Sequence, residues 1–142
     1  MLKVLMAVDG SVSSHRAVEA LVRLQKEIHG MEVLLVNVRE WPLFLGELPP
    51  LDYEALEQDQ IRHQKELLET TLAGARRSGL ERVSTRTAVG EPAGEIVRTS
   101  REEGVDQIVM GTHGRGAIGS LLIGSVAQRV VHLAKGPVLL VK

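Results

Sequence analysis

Five of the chain's 14 glycines fall within 15 residues, Gly111-Thr112-His113-Gly114-Arg115-Gly116-Ala117-Ile118-Gly119-Ser120-Leu121-Leu122-Ile123-Gly124-Ser125. An apolar run, Ile108-Val109-Met110, precedes them, and an apolar helical pattern opening at Val126 follows. A strand, a glycine-rich loop and a helix N-terminus are the parts of a phosphate cradle. Glycine lets backbone N–H groups turn toward an anion and lets the anion come close, and the helix end adds unpaired donors and partial positive charge. The chemistry these residues offer is the binding of a nucleotide's phosphates.

A second polar segment, Asp9-Gly10-Ser11, ends another apolar run. Asp9 has the chemistry to hold a metal ion, to contact a ribose or base, or only to form the turn. Facing the glycine loop would give it a part in the site. Ser125 is placed as an N-cap, and the same hydroxyl can donate to a phosphate.

Two familiar nucleotide motifs do not apply. Gly114-x-Gly116-x-x-Gly119 has the dinucleotide-binding spacing, but that motif needs an acid about 20 residues on. No Asp or Glu occurs from Gln107 to Lys142. No Lys precedes Ser120 or Ser125, so a Walker A loop fails as well. With Arg115, Arg129, Lys135 and Lys142 and no acid, the last 36 residues stand formally at +4, a balance that suits an anion.

The remaining titratable candidates read as structural. His15, His29, His63 and His132 fall on predicted helices without partners at ligand spacing. His113, inside the loop, is open to a phosphate contact or a solvent-facing role. Glu91 before Pro92 reads as an acid at a helix start rather than a catalytic group.

Five strands and four helices alternate along the chain to position these segments. The strands are Leu2 to Val8, Val33 to Val38, Val83 to Val89, Gln107 to Met110 and Val138 to Val141. The first helix, capped by Ser13 or Ser14, carries Ala17, Leu21, Leu24 and Ile28 at helical spacing, with Gly30 beyond its end. A long helix runs from about Asp52 to Ser78 with acids first and Arg76-Arg77 last, and Gly79 stops it. A short helix follows Gly90-Glu91-Pro92 and closes at Gly104, and the last runs from about Ser125 to Ala134. Residues 39 to 50, with Trp41-Pro42 and Pro49-Pro50, make a loop long enough to be a functional flap.

Strict alternation predicts an α/β fold, a single doubly wound five-stranded parallel sheet with helices on both faces and right-handed crossovers. Half-polar Val83 to Val89 suits a strand near the edge. Ligands of such sheets sit beyond the carboxyl ends of the strands where the order reverses. Asp9 and the glycine loop meet there only if the first and fourth strands are neighbours, which gives the order 3-2-1-4-5.

Composition bounds the rest. The 142 residues, 44% hydrophobic and 25% charged with formal net charge −1, describe one soluble domain over residues 1–142. Near-neutral charge and three aromatics, Trp41, Phe44 and Tyr53, give no reason to expect a nucleic-acid partner. The absence of cysteine excludes disulfides, thiolate metal sites and cysteine nucleophiles. No secretory or membrane segment is evident, so the expectation is a cytoplasmic protein that does not associate with membranes.

With these residues laid out, the chain resembles the universal stress protein family over essentially its whole length. The family's ATP-binding pattern of Gly, two residues, Gly, nine residues, Gly and Ser or Thr matches Gly111, Gly114, Gly124 and Ser125. Val4 to Ser11, the Gly90-x-Pro92 turn and Gly136-Pro137-Val138 are similar too. The resemblance implies the Rossmann-like 3-2-1-4-5 sheet, of the adenine nucleotide alpha hydrolase type, and an ATP site. It places Ala7, Val8 and Asp9 around adenine and ribose, Val38 lining the adenine, Met110 and Gly111 beneath the ribose, and Gly114, Arg115, Gly124, Ser125 and Val126 around the phosphates. ATP, or AMP or ADP, is the implied cofactor, with Mg or Mn beside the phosphates and Asp9 as its candidate ligand. Homodimers through the last strand are also implied, and pairing would cover the apolar edge Val138 to Val141.

A cradle without evident catalytic machinery points to a nucleotide-dependent regulatory module of the stress response whose protein partner the sequence does not name. The alternative is a slow ATPase or phosphate-transferring enzyme, for which only Asp9 and Arg115 are credible. A nucleotide-free interaction protein sits poorly with the intact glycine spacing. A phospho-receiver domain lacks the required acid after strand three, where Gly90 stands.

Overall fold

In the computed structural model, which describes residues 1–41, 53–113 and 122–142, nine elements follow in strict alternation. They are β1 (Lys3–Ala7), α1 (Val12–Glu27), β2 (Glu32–Arg39), α2 (Tyr53–Arg77), β3 (Val83–Val89), α3 (Pro92–Glu102), β4 (Gln107–Gly111), α4 (Ser125–Leu133) and β5 (Val138–Val141). The strands form one parallel sheet in the order β3-β2-β1-β4-β5, as the meeting of the two polar loops requires. Leu5 on the central strand pairs with Leu34 on one side and Ile108 on the other.

Side chains alternate across a strand, so the continuous apolar runs feed two cores. Val4, Met6, Val33, Leu35 and Val109 face α1 and α2, meeting Ala17, Leu21, Leu68 and Ala75. Leu5, Leu34, Val36, Ile108 and Met110 face α3 and α4, meeting Ala93, Ile96, Val97, Ala127 and Val130. Each large aliphatic side chain buried this way contributes about 1.5–3 kcal/mol. Val83 to Val89 does lie at the sheet edge, and its Thr85 and Thr87 are exposed.

The helix stops at Gly79 and Gly104 share one mechanism. Both glycines have positive φ, +104° and +60°. Gly79 N–H donates to Arg76 O and Leu80 N–H to Ala75 O, while Gly104 N–H donates to Arg101 O and Val105 N–H to Ser100 O. That double closure satisfies the last carbonyls of α2 and α3.

Two helix starts differ from expectation. Ser11, not Ser13 or Ser14, caps α1, and Gly124, not Ser125, is the N-cap residue of α4. His29 lies beyond the end of α1 rather than on it, and His15 has a carboxylate neighbour, Glu19 Oε1, 3.9 Å from its Nε2. The predicted start of the long helix at Asp52 and residues 42–50 of the predicted flap lie outside the described residues.

Candidate functional site

The site begins where β1 runs out. Asp9 Oδ1 accepts the Ser11 N–H at 2.8 Å, bending the chain back so that the Ser11 hydroxyl accepts the Ser14 N–H at 3.1 Å and caps α1. Three hydroxyls within four residues could each have served as the cap, and packing decides between them. Ser13 is buried because α1 lies directly on the end of β4, where its hydroxyl donates to His113 O and accepts from His113 N–H.

Gly111 makes that approach possible. A Cβ added there would lie 2.8 Å from the Ser13 carbonyl carbon and closer still to its hydroxyl. The glycine opening the loop is therefore required by the protein's own packing, apart from any ligand.

Beyond Gly111 the loop leaves and returns at one place. Thr112 O accepts the Gly124 N–H at 2.6 Å, and Thr112 N–H donates to Val141 O at 2.8 Å. The N-terminus of α4 is thereby pinned to the end of β4. Gly124 provides no side-chain cap, and the first-turn N–H groups of an α-helix have no partner within it. Their partial positive charge lies at the cavity that Asp9 also lines.

A third corner comes from β2. Asn37 Nδ2 donates to Val8 O at 2.6 Å, and Gln64 Nε2 of α2 donates to Asn37 O at 2.9 Å and Ala88 O at 3.0 Å. This brace ties the carboxyl ends of β1, β2 and β3 together. Asn37 is the one polar residue between Val33 and Val38 of an otherwise apolar strand. Gln64 is one of several polar residues on α2, and nothing in the spacing singles it out.

These corners enclose a cavity of about 450 Å³. Ala7, Val8, Asp9, Val38, Met110, Gly111, Gly124, Ser125 and Val126 all line it; Gly114 and Arg115 lie outside the described residues. Sequence reasoning missed Ser14, Asn37, Glu40, Pro92, Ile96 and Thr112 among the lining. Val38, Ile96 and Met110 give the lining an apolar part, and Asp9, Ser14, Thr112 and the α4 N-terminus a polar one. His113 also lines the cavity, with Nδ1 2.8 Å from Thr112 Oγ1 and Nε2 buried without a partner. The residue as a whole is half-buried.

The cationic balance works differently from the formal +4. Arg129 pairs with Glu91 Oε1 at 3.4 Å, and neither it, Lys135 nor Lys142 lines the cavity. Among the described residues the attraction for an anion comes from helix dipole and backbone, not from side-chain cations. Glu91 itself caps α3, accepting the N–H groups of Ala93 at 3.2 Å and Gly94 at 2.7 Å. Among the described residues no three His, Cys, Asp or Glu side chains gather to hold a metal.

The model of the universal stress protein family matches residues 1–142. A curated universal stress protein of Thermus aquaticus, from the QAH/OAS sulfhydrylase 3′ region, is 39% identical over 140 residues, 98% of this chain and 97% of that protein. Two solved structures share the fold. A universal stress protein family protein of Arabidopsis thaliana with AMP bound has TM-score 0.73 at 22% identity, covering 100% of this chain and 92% of the other. The universal stress protein of Archaeoglobus fulgidus in complex with dAMP has TM-score 0.71 at 23% identity, covering 100% and 98%.

Proposed function

The chain belongs to the universal stress protein family, and on that footing we propose that its cavity binds an adenine nucleotide, ATP first among them, as a nucleotide-dependent regulatory module. One observation carries the reading: an α-helix N-terminus without a side-chain cap lines the same cavity as Asp9, the carboxylate just beyond β1. The apolar wall of Val38, Ile96 and Met110 suits a purine, Asp9 suits ribose hydroxyls, and Gly124, Ser125 and Val126 suit phosphate oxygens. The AMP and dAMP complexes support the choice of an adenine nucleotide at the level of fold.

The cradle fits such a group because the described residues leave a cavity of about 450 Å³ at this helix end. Gly124 has φ −61° and ψ 156°, a conformation open to any residue, so its lack of a side chain is not imposed by backbone strain. Gly114 and Arg115 complete the phosphate side in this reading. A Mg or Mn ion accompanying the phosphates would meet Asp9, its remaining ligands being phosphate oxygens and water. What the protein supplies is binding and orientation: amides fixed by the Thr112–Gly124 bond, and a β1 end fixed by Asn37.

Nucleotide binding alters the surface a partner reads. The same reading makes the protein a cytoplasmic homodimer. β5 is an outermost strand, and Val138 to Val141 are all half-buried at an edge that a second copy would cover by strand pairing. No helix of the described residues is long and apolar enough to cross a membrane.

Isothermal titration with ATP tests the reading. Wild-type protein is expected to bind in the micromolar range, about −8 kcal/mol. Gly124→Val, whose side chain would occupy the cradle, is expected to abolish binding, and equal affinities in the two proteins would overturn the assignment.

A further inference from the structure

Most polar side chains that line the nucleotide cavity already have a partner in the protein. Asp9 Oδ1 accepts the Ser11 N–H, and the Ser11 hydroxyl caps α1. Ser14 Oγ accepts the Asp9 N–H at 3.4 Å, and Asn37 Nδ2 donates to Val8 O at 2.6 Å. Thr112 Oγ1 lies 2.8 Å from His113 Nδ1. Among the described lining residues, the two polar side chains with neither a hydrogen bond nor an ion pair are those of Ser125 and Glu40.

The two stand on opposite sides of β1. Ser125 opens α4, which follows β4, whereas Glu40 follows β2, and β2 and β4 flank β1. Neighbouring strands lie about 4.8 Å apart, which puts β2 about 10 Å from β4. A nucleotide whose phosphates lie at the α4 N-terminus therefore carries its base across β1 toward β2.

Alternation along β2 settles which side chains meet that base. Val36 and Val38 belong to the face that α3 and α4 cover. Arg39 turns the other way, toward Glu57 Oε1 of α2 at 3.8 Å. Continued by one residue, the same alternation brings Glu40 back to the side of Val38. Both line the cavity, and Glu40 is exposed, so a ligand can reach it.

A carboxylate accepts hydrogen bonds and donates none. At position 6 of the purine ring, adenine carries an amino donor where guanine carries a carbonyl acceptor. An acceptor beyond the apolar wall at Val38 therefore distinguishes between these bases.

We propose that Glu40 is a specificity-determining residue of this cavity, selecting purines that carry a 6-amino group; the proposal rests on the nucleotide reading above. The carboxylate accepts the 6-amino N–H of a base packed on Val38. A carbonyl at that position meets a second acceptor instead of a donor. Water competes at an exposed carboxylate, so the preference is modest, on the order of tenfold.

Isothermal titration of the full chain with ATP and with purine riboside triphosphate, which lacks only the 6-amino group, tests the assignment. ATP should bind about tenfold more tightly than the deamino analogue. In Glu40→Leu, which has no acceptor, the two affinities should fall within about twofold of one another. Glu40→Gln keeps an acceptor oxygen and should retain part of the preference. Relief of repulsion between Glu40 and the phosphates would change both affinities by one factor and leave their ratio intact. Equal affinities in the wild-type chain, or a preference that persists in Glu40→Leu, overturns the role of Glu40 while ATP binding itself stands. Absence of ATP binding overturns the nucleotide reading, and the specificity proposal falls with it.

Discussion

Helices α3 and α4 pack side by side on one face of the sheet, yet their N-termini are finished in opposite ways. At α3 the carboxylate of Glu91 accepts two first-turn N–H groups, and Pro92 removes a third donor. At α4 the equivalent position is Gly124, which offers no side chain, and the donors face the cavity. Even the nearby cation follows the division, since Arg129 of α4 turns to Glu91. A helix end that the protein satisfies itself is structural; one left open beside a cavity is available to a ligand's anion. The functional reading rests on this difference.

The sharpest way to break the comparison is to finish α4 as α3 is finished. Gly124→Asp places a carboxylate where the phosphate is expected. ATP affinity should fall by two orders of magnitude or more, about 3 kcal/mol or above, while the melting temperature holds or rises slightly because Asp caps at least as well as Gly. Paired titration and thermal melts check both halves.

Gly111 separates packing from binding at the other end of the loop. Gly111→Ala drives a methyl group into Ser13, and overpacking of this kind costs about 1–3 kcal/mol. Urea unfolding should show that loss without any nucleotide present. Removing part of the obstruction with Ser13→Gly in the same chain should recover some of it. No loss in the single variant would mean that α1 and β4 are further apart than described.

Removing the α3 cap gives the complementary result. Glu91→Ala should cost about 1 kcal/mol of stability, a few degrees in melting temperature for a chain of this size, and leave ATP affinity within about twofold. Loss of ATP binding comparable to that of Gly124→Asp would erase the distinction between the two helix ends.

The smallest expected effect lies far from both. Arg86 bridges Glu102 and Glu103, and its hydrogen bonds hold both carboxyls below the usual range. Depressed carboxyl values add stability that is present above the unfolded-state value, about 4.3, and lost as pH falls through the folded one. A small stability deficit of Arg86→Gln, read as a urea midpoint, should therefore be present at pH 7 and gone near pH 3. These groups are at least partly exposed, so the deficit should also shrink with salt.

Much of this was legible in the residues. Alternating apolar runs and helical patterns gave the nine elements, Gly79 and Gly104 marked two helix ends, and requiring Asp9 to meet the glycine loop fixed the strand order. Three other features depend on distance in space. Ser11, Ser13 and Ser14 are chemically equivalent as caps until α1 is laid on Gly111, which forces Ser13 inward. Gly124 rather than Ser125 is the N-cap residue of α4, held at the end of β4 by its N–H bond to Thr112 O. Asn37 and Gln64 acquire meaning only through the register that brings Val8, Asn37 and Ala88 level at the end of the sheet. Arg39 read as the start of a loop, and nothing in a linear pattern shows that β2 extends through it and that its side chain is closed in beside Glu57.

The central claim is most directly tested by following backbone amides while ATP is added. Proton–nitrogen spectra should show the α4 first-turn amides of Ser125, Val126 and Ala127, with Asp9, shifting together and saturating at one affinity, while Ala93 and Gly94 beneath the Glu91 cap stay in place. Saturable binding that leaves the α4 amides unmoved, or that moves the capped amides of α3 instead, would contradict the account.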